Sequence, residues 1–131
     1  MNSALSPEEK SGILLTNIAE SDCGVIALQA VTGFPRNRAE AVATEQAGYR
    51  PGHGITRGDL NRALVDLGYE VERVANERDH YTAATFAASH EYGTFLVYTE
   101  RHVMALVEGD LFNSRGDWRS PVEDAFRISK H

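Results

Sequence analysis

The amino-acid sequence predicts an α+β fold, in which N-terminal helices pack on a C-terminal antiparallel sheet. The main observation is that the period of the apolar residues changes along the chain. Apolar residues recur at helical spacing before Gly68, whereas from Tyr69 onward they alternate with polar residues or form short runs, as in strands. The chain has 131 residues, 42% of them hydrophobic, which suits a single domain, 1–131, with one core.

Capping signals and apolar runs predict the first two helices. Ser6 is a cap residue followed by Pro7 and then by Glu9, a combination typical of a helix start. The run from Cys23 to Val31 follows a polar break and is apolar almost all round. We therefore expect the second helix to be central and buried.

Two further helices are expected before residue 68. In the first, 36–47, small and apolar residues recur at helical spacing, and Gly48 supplies a C-terminal stop. The next helix has a cap formed by Thr56 and Asp59 and ends before Gly68. Its apolar positions are Leu60, Ala63, Leu64 and Leu67.

Strands are predicted in the second half of the chain. Residues 69–74 alternate in polarity, which indicates a half-buried strand. After a short helix at 82–89, the apolar runs Thr94–Tyr98 and Val103–Val107 predict two strands. Glu108 and Gly109 are typical of a hairpin turn. Residues 110–113 would return from that turn, and 125–128 would add a last strand.

The charge and hydropathy of the chain exclude two classes of partner. The net charge is −6, and the Lys and Arg residues are scattered among acids, so we expect no nucleic-acid partner. No apolar run approaches the roughly 20 residues of a membrane span. The N-terminal residues lack the basic and apolar regions of a signal peptide. We expect a soluble, cytoplasmic protein with no membrane partner; nothing in the sequence indicates its oligomeric state.

The cysteine and histidine content limits the chemistry. A single cysteine, Cys23, can form neither an internal disulfide nor a multi-cysteine zinc site, so it serves either packing or catalysis. The chain has five histidines, but no two of them stand at the i, i+4 spacing of a zinc-binding helix. We therefore expect no metal and no cofactor.

Cys23 is placed where a helix terminus would activate a thiol. A thiol in the first turn of a helix faces the partial positive charge of that terminus, which favours the thiolate and lowers the thiol pKa. Asp22 or Ser21 would cap the helix, and the backbone N–H of Cys23 could point at a developing oxyanion. The alternative is plain packing, because a cysteine outside a disulfide is among the most buried residue types.

His102 and Asn113 are predicted to lie on one face of the sheet. A two-residue turn at Glu108 and Gly109 would pair Met104 with Asn113, one diagonal step from His102 and within reach of its ring. The other pairs of this register would be Val107 with Asp110, Leu106 with Leu111, and Ala105 with Phe112.

This arrangement suggests a nucleophile, a base and a residue that orients the base. An amide oxygen on one ring nitrogen of His102 would leave the other nitrogen to take the proton of Cys23. The alternatives are a strand-end histidine bonded to a backbone carbonyl and an Asn113 that only ends a strand. Should Asn113 face away from His102, Asp117 is the next candidate for orienting it.

At these residues the chain resembles the papain-like cysteine peptidase superfamily. The run Asp22-Cys23-Gly24 is similar to the nucleophile segment of its small single-domain branch, which includes bacteriocin-processing peptidase domains of ABC transporters. The run from His102 to Val107 resembles the histidine strand of that branch, and the likeness extends over residues 13–114. The chain is also similar to small phage-encoded papain-like proteins. In this superfamily a glutamine about six residues before the nucleophile completes the oxyanion hole, and Asn17 stands at that position.

The residues and the resemblance together predict a papain-like cysteine-nucleophile hydrolase of the peptidase or amidase type. It would form an acyl-enzyme on Cys23 from a peptide or protein substrate, with His102, Asn113 and Asn17 as the other catalytic residues. The alternative is a non-catalytic papain-like binding module, such as a phage protein that acts on a host partner in the host cytoplasm. Its acidic charge would suit a basic partner surface.

Overall fold

The helix that carries Cys23 packs on a five-stranded antiparallel sheet, mainly against the strand next to one of its edges. The structure, a computed structural model, describes residues 23–50, 54–100, 102–112 and 118–130. Its helices are α1 (Cys23–Thr32), α2 (Arg36–Ala47), α3 (Arg57–Asp66) and α4 (Ala83–Ser89), together with a 3₁₀ turn at Glu77–Asp79. Its strands are β1 (Tyr69–Asn76), β2 (Thr94–Tyr98), β3 (Val103–Val107), β4 (Asp110–Phe112) and β5 (Asp124–Lys130).

The helices confirm the predictions made from capping and periodicity. α1 is central, and every one of its residues from Gly24 to Val31 is buried. α2 ends at Gly48, which adopts the left-handed conformation with φ of 70°. The hydroxyl oxygen of Thr56 accepts a hydrogen bond from the backbone N–H of Asp59 at 3.2 Å and caps α3. The helix predicted near Ser6 lies outside the described residues.

The sheet has the strand order β1-β5-β2-β3-β4, and all its neighbouring strands are antiparallel. The predicted last strand is present, and it lies between β1 and β2 rather than at an edge. β5 therefore pairs with β1 on one side and with the apolar strand β2 on the other. The α+β class with helices on an antiparallel sheet is thus confirmed.

The hairpin between β3 and β4 has the predicted register. Ala105 pairs with Phe112, and the other two pairs, Leu106 with Leu111 and Val107 with Asp110, are also as expected. Glu108 and Gly109 both have positive φ, 48° and 86°, which is the conformation that a two-residue turn with the twist of the strands requires.

The apolar core is divided by the sheet, which differs from the single core predicted from chain length. One cluster, which includes Ala105 and Tyr98, lies between the sheet and α1, α2 and α3. The other, which includes Phe86 of α4 and Met104, covers the opposite face. All five residues of β3 are buried, and such a strand needs cover on both faces. The continuous apolar runs of β2 and β3 were the sequence signal for this arrangement.

β1 departs from the predicted alternation. Its pairing with β5 shifts register between Arg73 and Ala75. Simple alternation would place Ala75 on the face of Tyr69 and Val71, but Ala75 instead packs in the cluster on the opposite face of the sheet. Within the described parts of the chain, no helix combines the length and apolar character needed to cross a membrane.

Candidate active site

Cys23 and His102 line the same cavity, although they are far apart in the sequence. The cavity has a volume of about 230 Å³ and opens between the first described turn of α1, the residues before α3, and the turn that joins β2 to β3. Both side chains are half-buried. The other lining residues are Ile55, Thr56, Arg57, Tyr98, Thr99, Glu100 and Val103.

Cys23 is the first described residue of α1. The residue that follows it, Gly24, is in close contact with Ile55 of the cavity wall. Gly24 packs so tightly on Ile55 that a Cβ at residue 24 would lie 2.9 Å from the Cδ1 of Ile55. Only a glycine permits this contact without a shift of the neighbouring chain. The proposed capping residues, Ser21 and Asp22, lie outside the described residues.

His102 is held by the turn between β2 and β3. The last residue of β2, Tyr98, pairs with Val103, the first residue of β3. Within the turn, the backbone N–H of Thr99 donates to the carbonyl of His102 at 2.9 Å. His102 therefore stands at the end of a short hairpin and just ahead of β3, where its backbone has a defined hydrogen bond.

The side chain of Arg57 connects three parts of the cavity wall. Its guanidinium donates to the backbone carbonyl of Thr99 at 3.0 Å, to Oδ2 of Asp124 at 3.0 Å, and to the carboxylate of Glu123. It also lies over the ring of Tyr98, 5.3 Å from the centroid. α3, the β2–β3 turn and the start of β5 are thus joined beside the cavity.

Tyr98 forms an almost fully buried part of the wall. Its hydroxyl donates to Oδ1 of Asn61 on α3 at 2.9 Å. Burial is the main cause that raises the pKa of Tyr98; the charge of Arg57 opposes this effect, while Cys23 and Asp124 add to it. The phenol therefore stays neutral and keeps its proton at any physiological pH.

The other two predicted catalytic residues, Asn113 and Asn17, lie outside the described residues, as does Asp117. The hairpin register on which Asn113 depends is confirmed as far as Phe112. Met104, the predicted partner of Asn113, packs in the cluster on the face away from α1. That His102 and Asn113 lie on the same face of the sheet stays a prediction.

The chemistry available in the cavity is that of a thiol beside an imidazole. No group of three or more His, Cys, Asp or Glu side chains that could hold a metal ion occurs among the residues that the structure describes. Cys23 can act as a nucleophile and His102 as a proton acceptor and donor. Neutral Tyr98 and the cation of Arg57 are among the other polar groups that line the cavity.

Sequence reasoning did not identify Arg57 or Tyr98 as part of the site. Arg57 directly follows the predicted cap residue of α3, and Tyr98 ends an apolar strand just before the turn to His102. A polar group at the end of a buried strand, close in sequence to a predicted base, was the available signal for Tyr98. No local signal marked Arg57, because its partners are remote in sequence.

Comparisons of the chain with protein-family models, curated proteins and solved structures gave no match. The interpretation of the site therefore depends on the residues and geometry of this chain.

Proposed function

We propose that this protein is a cysteine-nucleophile hydrolase of the peptidase or amidase type, built on a papain-like fold. The observation that carries the proposal is the shared cavity of Cys23 and His102. A thiol and an imidazole that line one small opening are the minimum that covalent acyl transfer requires. A peptide or protein is the proposed substrate.

The proposed reaction uses His102 first as a base and then as an acid. The imidazole takes the thiol proton, and the Cys23 sulfur attacks the carbonyl carbon of an amide. The imidazolium then gives its proton to the leaving nitrogen, the C–N bond breaks, and a thioester remains on Cys23. His102 next takes a proton from water, and the water oxygen attacks the thioester carbon. The C–S bond then breaks, so that the acid product is released and the Cys23 thiolate is restored.

The negative oxygen of the tetrahedral intermediate needs hydrogen-bond donors. We propose the backbone N–H of Cys23 and the side-chain amide of Asn17 for this role, and Asn113 for orienting His102. These roles come from the sequence and from the likeness to papain-like proteins.

The order and packing of the elements support the papain-like proposal. The helix with the cysteine is central, it precedes the strands, and it packs on the strand that directly follows His102. Cys23 and His102, the proposed nucleophile and base, thus come from the two layers of an α+β domain and line one cavity.

The cavity is small for a complete ligand. Its volume of about 230 Å³ is below the roughly 300–1,000 Å³ of sites that enclose a drug-sized molecule. A chain segment that runs across the opening and places one carbonyl at Cys23 suits this volume better than an enclosed small molecule. This size supports a peptide substrate.

Thiol alkylation as a function of pH tests the proposal. Native protein is treated with iodoacetamide between about pH 5 and pH 9, and modification of Cys23 is followed by mass spectrometry. We expect reaction near pH 6 that depends on His102 and is lost in His102→Ala, because an imidazolium partner maintains the thiolate there. His80→Asn is the matched control, because His80 is exposed and has a φ of 57° that asparagine tolerates.

Two results would contradict the proposal. Cys23 could react only above the ordinary thiol pKa of about 8.5, or only after denaturation. Either result would leave the non-catalytic binding module as the better description of the protein.

A further inference from the structure

Arg57 is the residue that connects the turn carrying His102 to the rest of the domain. It is the first residue of α3, directly after the cap residue Thr56. Its guanidinium reaches the carbonyl of Thr99, which is 42 residues away in sequence, at 3.0 Å. The same group binds the side chains of Glu123 and Asp124 at the start of β5.

The hydrogen bonds of Arg57 are linked through Thr99 to the backbone of His102. Thr99 accepts from Arg57 through its carbonyl and donates through its N–H to the carbonyl of His102 at 2.9 Å. The N–H of Glu123 donates to the carbonyl of Tyr98 at 2.8 Å, so the residue before Thr99 is also held. The guanidinium therefore binds the β2 end of the turn, and one further hydrogen bond leads from Thr99 to the backbone of His102.

The charges in this network are arranged to keep Arg57 in place. Asp124 accepts from Arg57 and, through its other oxygen, from Nε of Arg73 at 3.1 Å. Burial opposes the charge of Arg57, but the hydrogen bonds and charges of Glu123 and Asp124 outweigh it and raise the pKa of the guanidinium. Arg57 is therefore a permanent cation beside the cavity.

We infer that Arg57 is a positioning residue for the proposed reaction: it clamps the β2–β3 turn and so holds His102 beside Cys23. This inference rests on the proposed function. Three acceptors in different directions suit the planar guanidinium, whereas a lysine ammonium offers one compact charge on a flexible stem. We therefore expect Arg57→Lys to lose the clamp as Arg57→Ala does, although lysine keeps the positive charge.

Two measurements on Arg57→Ala and Arg57→Lys test the clamp. The first is amide hydrogen exchange of Thr99 by NMR, which reports the turn itself. We expect exchange to be about tenfold faster in both variants, because the carbonyl of Thr99 loses its fixed donor and the turn opens more often. The second is the alkylation rate of Cys23 across the pH range. We expect the component near pH 6 to fall about tenfold while the rate above pH 8.5 stays near that of the wild type.

Arg62→Ala is the matched control. Arg62 lies on the same helix and pairs with Asp59 at 2.9 Å on the exposed surface, away from the cavity. Arg62→Ala should change neither the amide exchange rate of Thr99 nor the alkylation rate of Cys23. A merely stabilising role of Arg57 would lower the unfolding temperature without altering the shape of the pH profile. If Arg57→Ala does not fold, Arg57→Lys carries the same comparison.

The inference is overturned if Thr99 exchange in the folded variants stays within about twofold of the wild type, or if the reactivity near pH 6 is unchanged. A wild-type protein with no reaction near pH 6 that depends on His102 would instead refute the proposed function. The exchange rate of Thr99 would in that case still decide whether Arg57 holds the turn.

Discussion

Gly24 and Ile55 approach each other so closely that a side chain at position 24 would press against Ile55. A Cβ on Gly24 would lie 2.9 Å from the Cδ1 of Ile55 and 3.2 Å from its Cβ. The second of these atoms cannot swing away, because it is attached to the backbone. Ile55 and Cys23 line the same cavity, so this contact lies at the cavity wall next to the thiol residue.

Gly24→Ala is therefore expected to destabilise the protein by about 1–3 kcal/mol, the usual cost of overpacking. Alanine favours a helix over glycine by about 1 kcal/mol, which offsets only part of this cost. The free energy of unfolding can be measured in urea. Gly58→Ala is the matched control, because Gly58 lies in α3 with no atom within 4 Å of its added Cβ. A Gly24→Ala protein as stable as Gly58→Ala would contradict the close packing.

Tyr98→Phe is expected to cost about 1 kcal/mol near neutral pH, because the partly buried Oδ1 of Asn61 loses its donor. The substitution should also change the response to alkali. Burial raises the pKa of Tyr98 above the ordinary value of 10.0, so above about pH 10 the unfolded chain releases a proton that the folded chain retains. The contribution of Tyr98 is therefore complete below pH 10 and is lost as the pH rises further.

The measurement for Tyr98 is the free energy of unfolding between about pH 8 and pH 11. Above pH 10, the free energy of unfolding should fall more steeply for the wild type than for Tyr98→Phe. The difference should reach up to about 1.4 kcal/mol per pH unit. Tyr92→Phe serves as the control, because Tyr92 is 79% exposed. Parallel curves for the wild type and Tyr98→Phe would show that the phenol titrates as it does in the unfolded chain.

Asn113→Ala tests the proposed orienting residue. We expect the His102-dependent alkylation near pH 6 to fall about tenfold, because the imidazole loses the group that holds its tautomer. Asn113→Asp should retain most of the rate, since a carboxylate can accept from the same ring nitrogen. Should Asn113→Ala leave the rate unchanged while Asp117→Ala lowers it, the orienting role belongs to Asp117.

Local signals predicted most of the fold. The stop at Gly48 and the cap at Thr56 act within one helical turn, and the turn at Glu108 and Gly109 sets its own register. The place of β5 in the sheet was not predictable in this way. Its partners, β1 and β2, are chosen by packing across the whole chain, and the irregularity between Arg73 and Ala75 accompanies that pairing.

In the candidate site, too, residues marked by local signals were predicted, and residues that depend on remote contacts were not. Cys23 and His102 were singled out by a helix start, a strand start and a family resemblance, and the structure brings both to one cavity. Arg57 was missed because its acceptors are 42, 66 and 67 residues away in the sequence. Tyr98 was missed because an aromatic residue at the end of an apolar strand is normally core, and only the fold brings it to the same cavity as the cysteine.

The most direct test of the central claim is formation of an acyl-enzyme on Cys23. The native protein is mixed with p-nitrophenyl acetate, quenched, and searched by mass spectrometry for an acetyl group. We predict a burst of p-nitrophenolate with one acetyl group on Cys23, slowed about 100-fold in His102→Ala and unchanged in His80→Asn. Acetylation of Cys23 at the same rate in His102→Ala, or only after denaturation, would contradict the pairing of these two residues.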